Sequence, residues 1–479
     1  MSAVQEAGNL PPVRRLGQPT MLAYGAGAVA YGVKDFGFST FLLFFFNQVM
    51  GLPASQVGLA ILCALMLDAF IDPMIGTLSD RTRSRWGRRH PWMYASAIPI
   101  AVGWLLLWNP PALGQGAMLV WVFALSVIVR SAVSAYEVPS QALSPELSAD
   151  YDERTRIMAY RYLFGWAGGM AMLVASYAYF LAPYPGQETG LLNRESYVGF
   201  SIAGAVAMAV AILVSALGTH HEIAHLPKPV IAQQSIAGHF RELGETVRNR
   251  AFLILMGAGI CFYSAQGISF SLSNYLYTYV WGMKGGDFVA LAGALFLGVV
   301  GAFVIAPRVA RRVGKPVAAM AFMAGAAILI GSPYALRLLG AFPDPSSPAM
   351  LPLLFTIFGV NATCSVSSTI LGASMMADVV EHSEVDTGRR SEGVFFAGGF
   401  FVQKCTTGIG IFASGFILSG IGFPEGAKPG TIPAATIDLL TIIFILLYLM
   451  LGMGAAYLYR RFPFGKAEHD ARIGLATNG

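Results

Sequence analysis

Charge is what this sequence has least of. Of its 479 residues, 12% are Asp, Glu, Lys or Arg, about half the share near 25% that soluble domains carry. So few ionised groups cannot clothe a water-facing surface of this size. With 55% hydrophobic residues and a mean hydropathy of +0.60, lipid is the natural solvent. Cysteine is almost missing as well. Cys63, Cys261, Cys364 and Cys405 lie far apart in apolar runs with no CxxC spacing. That excludes a disulfide framework and a thiolate metal site, and the four read as small core residues. The seven histidines are scattered, and there is no HExxH, phosphate-binding glycine loop or nucleophile elbow, so neither an enzyme nor a cofactor is expected. Residues 1–20 are polar and contain Pro11 and Pro12. No short signal-peptide core precedes the first apolar run, and no cleavage is expected. The net charge of +5 does not point to nucleic acid, because its distribution has another explanation.

What is present is a series of long apolar runs. A bilayer crossing takes about 20 such residues. Runs of that kind fall near 20–49, 55–79, 91–108, 115–141, 157–183, 196–218, 251–281, 286–306, 316–338, 349–377, 393–422 and 433–459. An even count places both ends of the chain on one side. Of 31 Lys and Arg, 23 lie in the two tails and in the loops that follow the even-numbered spans. Four lie in the opposite loops (Arg194, Lys284, Arg337 and Lys428), and four lie within spans (Lys34, Arg130, Arg161 and Lys404). This bias puts both termini and the 219–250 loop in the cytoplasm. That loop divides the chain into six-helix halves, 1–218 and 251–479.

The halves echo each other. GAGAVAYGVKDFGFSTFLLFFFNQVMG from Gly25 matches GAGICFYSAQGISFSLSNYLYTYVWG from Gly257 in length and glycine punctuation. LSDRTRSRWGRRHPW after the second span parallels APRVARRVGKP after the eighth, and SADYDERTR parallels EVDTGRRSEG. An all-α membrane protein of twelve helices, in two parallel halves around a midplane site, is the plan of the major facilitator fold.

The charges inside the spans point to function, because each is costly at bilayer depth. Asp68 and Asp72 are four residues apart and share one helix face. Two carboxylates on one face call for a cation between them or a proton on one of them. Oxygen ligation suits a hard ion such as Na⁺. Asp35 lies near mid-depth on the neighbouring span and is expected to complete the cluster. Lys404, in the eleventh span, is read as the internal counter-charge, pairing with the acids when the ion is away. Glu137, Arg130 and Arg161 offer forks and carboxylates for a hydroxyl-rich solute, or else a structural ion pair. Arg81, Arg83, Arg85, Arg88 and Arg89 are mostly topology signal and helix-end electrostatics, Asp80 caps the loop that carries them, and a cytoplasmic gate with Asp80 or Asp150 is the alternative role for some of them. The Phe41–Phe46 and Phe395–Phe401 runs read as lipid-facing or packing residues, and the glycines of the eleventh span as close helix packing.

YGVKDF at Tyr31, LDAFIDPMIGTLSDRTRSRWGRRHPW at Leu67, EVPSQALSPELSADYDERTR at Glu137 and ADVVEHSEVDTGRRSEG at Ala377, with Lys404 downstream, resemble the glycoside–pentoside–hexuronide:cation symporters. That is the melibiose-permease branch of the major facilitator fold. The resemblance spans nearly the whole chain. It implies that Asp68 and Asp72 stand where the family binds Na⁺, Li⁺ or H⁺, with the Lys404 position completing the charge network. It implies sugar contacts at Lys34, Asp35, Glu137 and Arg161. Gln141 and Thr369 stand where the permease carries tryptophans that stack on sugar rings. The expectation is therefore a cation-coupled symporter, Na⁺- or H⁺-linked, for a sugar or glycoside-like solute. The alternatives are a lysolipid or other amphipathic solute, and an uncoupled facilitator or exporter. The expected partners are the solute, a monovalent cation and the bilayer, around a monomer in a bacterial inner membrane.

Overall fold

A computed structural model describes residues 16–148, 151–183, 190–226, 249–344, 346–387 and 392–463. Among these residues the chain is helical, with no strand. The first rod, α1 (18–49), starts as Gln18–Ala26 and Ala28–Phe36 and widens into π-type turns at Gly37–Leu42 and Phe45–Val49. Then come α2 (Ala54–Arg81), α3 (His90–Trp108), α4 (Gln115–Leu147), α5 (Tyr151–Ala175, with π turns Ser176–Phe180) and α6 (Ser196–His220). The rest are α7 (Arg250–Tyr275, with π turns Leu276–Val280), α8 (Gly285–Val313), α9 (Lys315–Leu338), α10 (Met350–Thr387), α11 (Glu392–Gly420) and α12 (Ala434–Arg460). Eleven of these are unbroken helices long and apolar enough to cross a membrane. The segmented α1 is the twelfth rod.

The packing partners repeat. In the first six helices α1 lies on α5 and α6, α4 on α2 and α3, and α3 on α6. In the second six, α7 lies on α11 and α12, α10 on α8 and α9, and α9 on α12. Two further pairs, α2 with α11 and α5 with α8, join the sets and exchange places under the same correspondence. The turns repeat too. Gly51 and Gly282 both have positive φ, 71° and 61°. Each follows a π turn closed by the same bond pattern: Met50 N–H to Phe45 O and Leu52 N–H to Phe46 O, then Trp281 N–H to Leu276 O and Met283 N–H to Tyr277 O. Only glycine takes that backbone conformation without strain. Gly87 and Gly314 likewise share positive φ in the arginine-rich loops after α2 and α8.

Close approach is achieved through glycine. A Cβ on Gly32 of α1 would lie 2.0 Å from Gly165 O of α5, and one on Gly267 of α7 would lie 2.4 Å from Thr407 O of α11. In lipid, apolar side chains gain little by leaving hydrocarbon for protein, so tight backbone packing and internal hydrogen bonds carry the association. Gly410 and Gly415 of α11 approach α7 and α2 in this way, as their spacing indicated. The outward faces carry exposed apolar side chains such as Ile98, Val120, Leu297 and Met450.

Two expectations need correction. α4 and α10 run to Leu147 and Thr387, beyond the expected ends at 141 and 377. The expected ends marked where the apolar runs stop, and these helices continue past them. Cys63 is exposed on α2 rather than in the core, because this helix is apolar all round. Of the two readings of the Phe41–Phe46 run, packing holds: Phe41, Phe44, Phe45 and Phe46 are fully buried, and Phe41, Phe44 and Phe45 meet Phe200, Tyr275, Trp108 and Tyr197 edge-on or tilted. The Asp150 alternative and Arg389–Arg390 lie outside the described residues.

Candidate functional site

One end of the molecule is sealed across the two halves. Gln48 of α1 accepts hydrogen bonds from Tyr279 OH (3.0 Å) and Ala427 N–H (3.0 Å), and donates to Pro424 O (3.2 Å). Tyr275 OH donates to Asn47 (2.8 Å), and Asn274 bridges Thr40 O and Tyr177 OH. Tyr177 also stacks on Phe288. At the opposite end, two groups of charge pairs among the described residues each lie within one half. Arg89 reaches Asp80 (2.5 Å), Glu146 (3.2 Å) and Ser79 (2.8 Å), and Arg88 reaches Glu146 (2.6 Å). Lys315 binds Asp378. The path between the halves is therefore closed at the end of residues 47–54. Of the expected gate residues, Asp80 and Arg88 join this network, while Arg81 and Arg85 stand at the surface, Arg85 against Trp86. The hub is buried Arg89, with Glu146 as its partner. Arg89 is among the loop arginines that the sequence offers for a gate with Asp80; Glu146 is not singled out there, since a glutamate after a proline carries no special spacing.

The α2 acids sit where the halves meet. Lys404 of α11 lies 2.9 Å from Asp68 Oδ2 and 2.5 Å from Asp72 Oδ2. This is the pairing expected of it. Asp68 has a second cation. Arg130 of α4 donates from Nε (3.1 Å) and stands with Nη2 at 3.0 Å on the same oxygen, while Ser134 Oγ donates to Oδ1 (3.1 Å). Asp68 is only 3% exposed and Arg130 6%. Asp72 is half-buried, and its Oδ1 has no hydrogen-bond partner. Asp35 does not join. Its side chain is 45% exposed, and its ion pair is with its neighbour Lys34 at 3.6 Å. Buried Lys34 also lies over the Tyr31 ring. Among the described residues no three His, Cys, Asp or Glu side chains converge closely enough to hold a metal ion. Hard cations ask for several oxygen ligands, and both oxygens of Asp68 already accept N–H or O–H donors. These residues do not fit a Na⁺ ion at Asp68.

The second cluster joins α4 and α5. Arg161 Nη2 lies 2.5 Å from Glu137 Oε1, although off the hydrogen-bond line, and its Nη1 donates to Ser140 Oγ (2.9 Å). Gln141, one turn along from Glu137, donates to Glu137 Oε1 (2.9 Å) and is otherwise exposed. Glu137 Oε2 is buried and without a hydrogen-bond partner. Three of the expected solute contacts thus meet in one place. Thr369 of α10 is half-buried and donates to Ser365 O in its own helix. Trp166 of α5, not singled out beforehand, is exposed and meets Phe36 edge-on at 6.1 Å; Phe36 in turn contacts Phe270 of α7 at 6.4 Å. Four bases (Lys34, Arg130, Arg161 and Lys404) face four acids (Asp35, Asp68, Asp72 and Glu137) in these clusters.

The sequence matches known proteins over most of its length. The family model described as MFS/sugar transport protein matches residues 23–466. The chain belongs to that family. Relatives include an uncharacterized symporter of Synechocystis, 26% identical over 84% of this chain and 86% of the relative. The isoprimeverose transporter of Lactiplantibacillus pentosus is 28% identical over 82% of this chain and 80% of its own length. The inner membrane symporter YicJ of Escherichia coli is 23% identical over 92% and 90%. Among solved structures, a D-xylose-proton symporter superposes with a TM-score of 0.63 at 13% identity, covering 93% of this chain and 97% of that one. The fold is that of the major facilitators, and the resemblance read from the motifs holds. This member of the family is a membrane transporter and not an enzyme.

Proposed function

We propose that the chain couples a monovalent cation to the movement of a sugar- or glycoside-like solute by alternating access. The observation that carries this reading is the bridge of Lys404 on α11 to Asp68 and Asp72 on α2. It ties the two halves at the depth of the spans, and it can be broken only by moving one half or by supplying another positive charge. A cation that competes for Asp72 releases Lys404, and the halves then part more easily there. Cation and solute affinities become linked and reciprocal. By the positive-inside bias the sealed end lies on the side away from the cytoplasm, which supports reading this state as inward-facing.

The solute is held by groups suited to hydroxyls. Glu137 Oε2 is an unmet acceptor, while Gln141 and half-exposed Asp35 offer further directional partners. Arg161 fixes Glu137 from behind. Trp166, with Phe36 and Phe270 beside it, supplies an aromatic surface in place of the tryptophans replaced by Gln141 and Thr369. The sugar-carrying and symporter relatives favour this reading over a lysolipid.

The test is a stabilisation screen of purified protein against methyl glycosides, uronides and lysophosphatidylcholine, since a bound ligand raises the melting temperature. The best binder is then followed into proteoliposomes. The expected result is a glycoside that accumulates above equilibrium only under an imposed cation gradient. Accumulation indifferent to every gradient identifies a facilitator, and stabilisation by lysophosphatidylcholine alone identifies a lipid carrier. Either contradicts the proposal.

A further inference from the structure

We infer that Arg130 is a built-in cation that occupies the ion seat at Asp68 and excludes Na⁺ and Li⁺ from the α2 acids. The inference deepens the symport reading and takes from it only the statement that the α2 acids face the coupling cation.

The two cations on Asp68 differ in kind. Lys404 comes from α11, in the other half, so its bond must lengthen or break whenever the halves rock. Arg130 comes from α4, which packs along α2 within the same half. It travels with Asp68 through any rigid-body motion. It holds Oδ2 by two nitrogens, Nε at 3.1 Å and Nη2 at 3.0 Å, and its guanidinium lies over the Phe38 ring at 5.6 Å. Both partners are buried. A guanidinium does not lose its proton in a protein, so this positive charge is permanent. Ser134 Oγ, the other oxygen near enough to ligate an ion with Asp68, spends its hydrogen on Oδ1.

Charge and donor counts agree. Asp68 and Asp72 are matched one for one by Arg130 and Lys404. A metal ion added to that set leaves an uncompensated positive charge at the depth of the spans, where such a charge is costly. Of the four carboxylate oxygens of Asp68 and Asp72, only Asp72 Oδ1 is left without a donor or cation among the described residues, where a hard ion needs several ligands. A seat for Na⁺ appears only when the guanidinium is taken away. Then Asp68, Asp72 and Ser134 present a cluster of oxygens beside a lysine that can swing off.

The probes are the ions themselves. Purified full-length protein is melted in NaCl or LiCl, each titrated against choline chloride at constant ionic strength and pH. A site with a dissociation constant of about 1 mM would be saturated roughly 100-fold at 0.1 M, and stabilisation of that size shifts the midpoint by several degrees. The wild type is expected to show no saturable shift with either salt. Arg130→Met, which keeps the stem, is expected to gain one, and Asp68→Asn added to it is expected to remove the gain. A saturable Na⁺ or Li⁺ shift in the wild type overturns the inference and leaves the symport reading in place. So does a folded Arg130→Met that gains nothing. If Met, Gln and Ala at 130 all fail to fold, the wild-type titration decides alone, a shift overturning the inference and a flat response upholding it. Failure of the symport reading shows elsewhere, as solute uptake that ignores every gradient.

Discussion

The charged side chains divide into those that hold the structure and those that move with it, and the division follows from which helix each sits on. Arg161 and Glu137 lie on α4 and α5 of one half. Removing one member of a buried pair strands the other, at a cost of about 3–5 kcal/mol. Glu137→Gln is therefore expected to lower the melting temperature as well as abolish solute binding. Glu137→Gln combined with Arg161→Met should recover stability without recovering binding. A double variant as unstable as the single one would show that the pair is not what strains the fold. Lys404 is different, because it is half-exposed and bonded across the halves. Lys404→Ala leaves two carboxylates on one helix face with Arg130 alone. It is expected to weaken solute-dependent stabilisation while leaving Glu137 and Arg161 in place, checked by the same melting screen.

The acids were legible in the sequence because a carboxylate among a dozen apolar residues has few reasons to exist, and Lys404 was legible for the same reason. Arg130 was visible as a buried charge, but its partner was not. Asp68 and Arg130 are 62 positions apart, and their meeting depends on how α2 and α4 are rotated about their axes. The same limit misplaced Asp35. Its depth was readable, but its phase relative to α2 was not, and it pairs with Lys34 instead of joining the other two acids.

At the level of the helices, the twelve rods and the repeat followed directly from apolar run length and glycine punctuation, because lipid forces each crossing to satisfy its own backbone. Helix ends were less legible where a span leaves the membrane without a stop, as α4 and α10 do. The sealed end was not legible at all, since Gln48, Tyr275 and Tyr279 have no unusual spacing. It carries two predictions. Gly51→Ala and Gly282→Ala force an L side chain into left-handed backbone at equivalent turns, and each is expected to cost about 1–2 kcal/mol, read as a drop in melting temperature. Gln48→Leu deletes the bonds to Tyr279, Pro424 and Ala427, worth about 1 kcal/mol each. The balance between sealed and open should then move roughly a hundredfold toward open. Alkylation of a cysteine placed by Thr40→Cys, buried beside the Asn274 bridge of that seal, is expected to speed up in this background with a membrane-impermeant reagent. An unchanged rate would show that the seal lies elsewhere.

For the molecule as a whole, the correspondence of helix pairs and the exchange of α2–α11 with α5–α8 describe two bodies that rock on shared edges. The α2 acids lie in the first body and Lys404 in the second, so in the proposed mechanism the link between ion and solute runs through the Lys404 bridge. The asymmetry is functional: the stretch equivalent to Lys34-Asp35 is Gln266-Gly267, and no acid of the second half stands opposite Asp68. The most direct measurement is accumulation of the identified solute in proteoliposomes by the wild type and by Asp72→Asn under the same imposed cation gradient. The account predicts that the wild type concentrates solute above equilibrium, whereas the variant only equilibrates it. Undiminished accumulation by Asp72→Asn would contradict it.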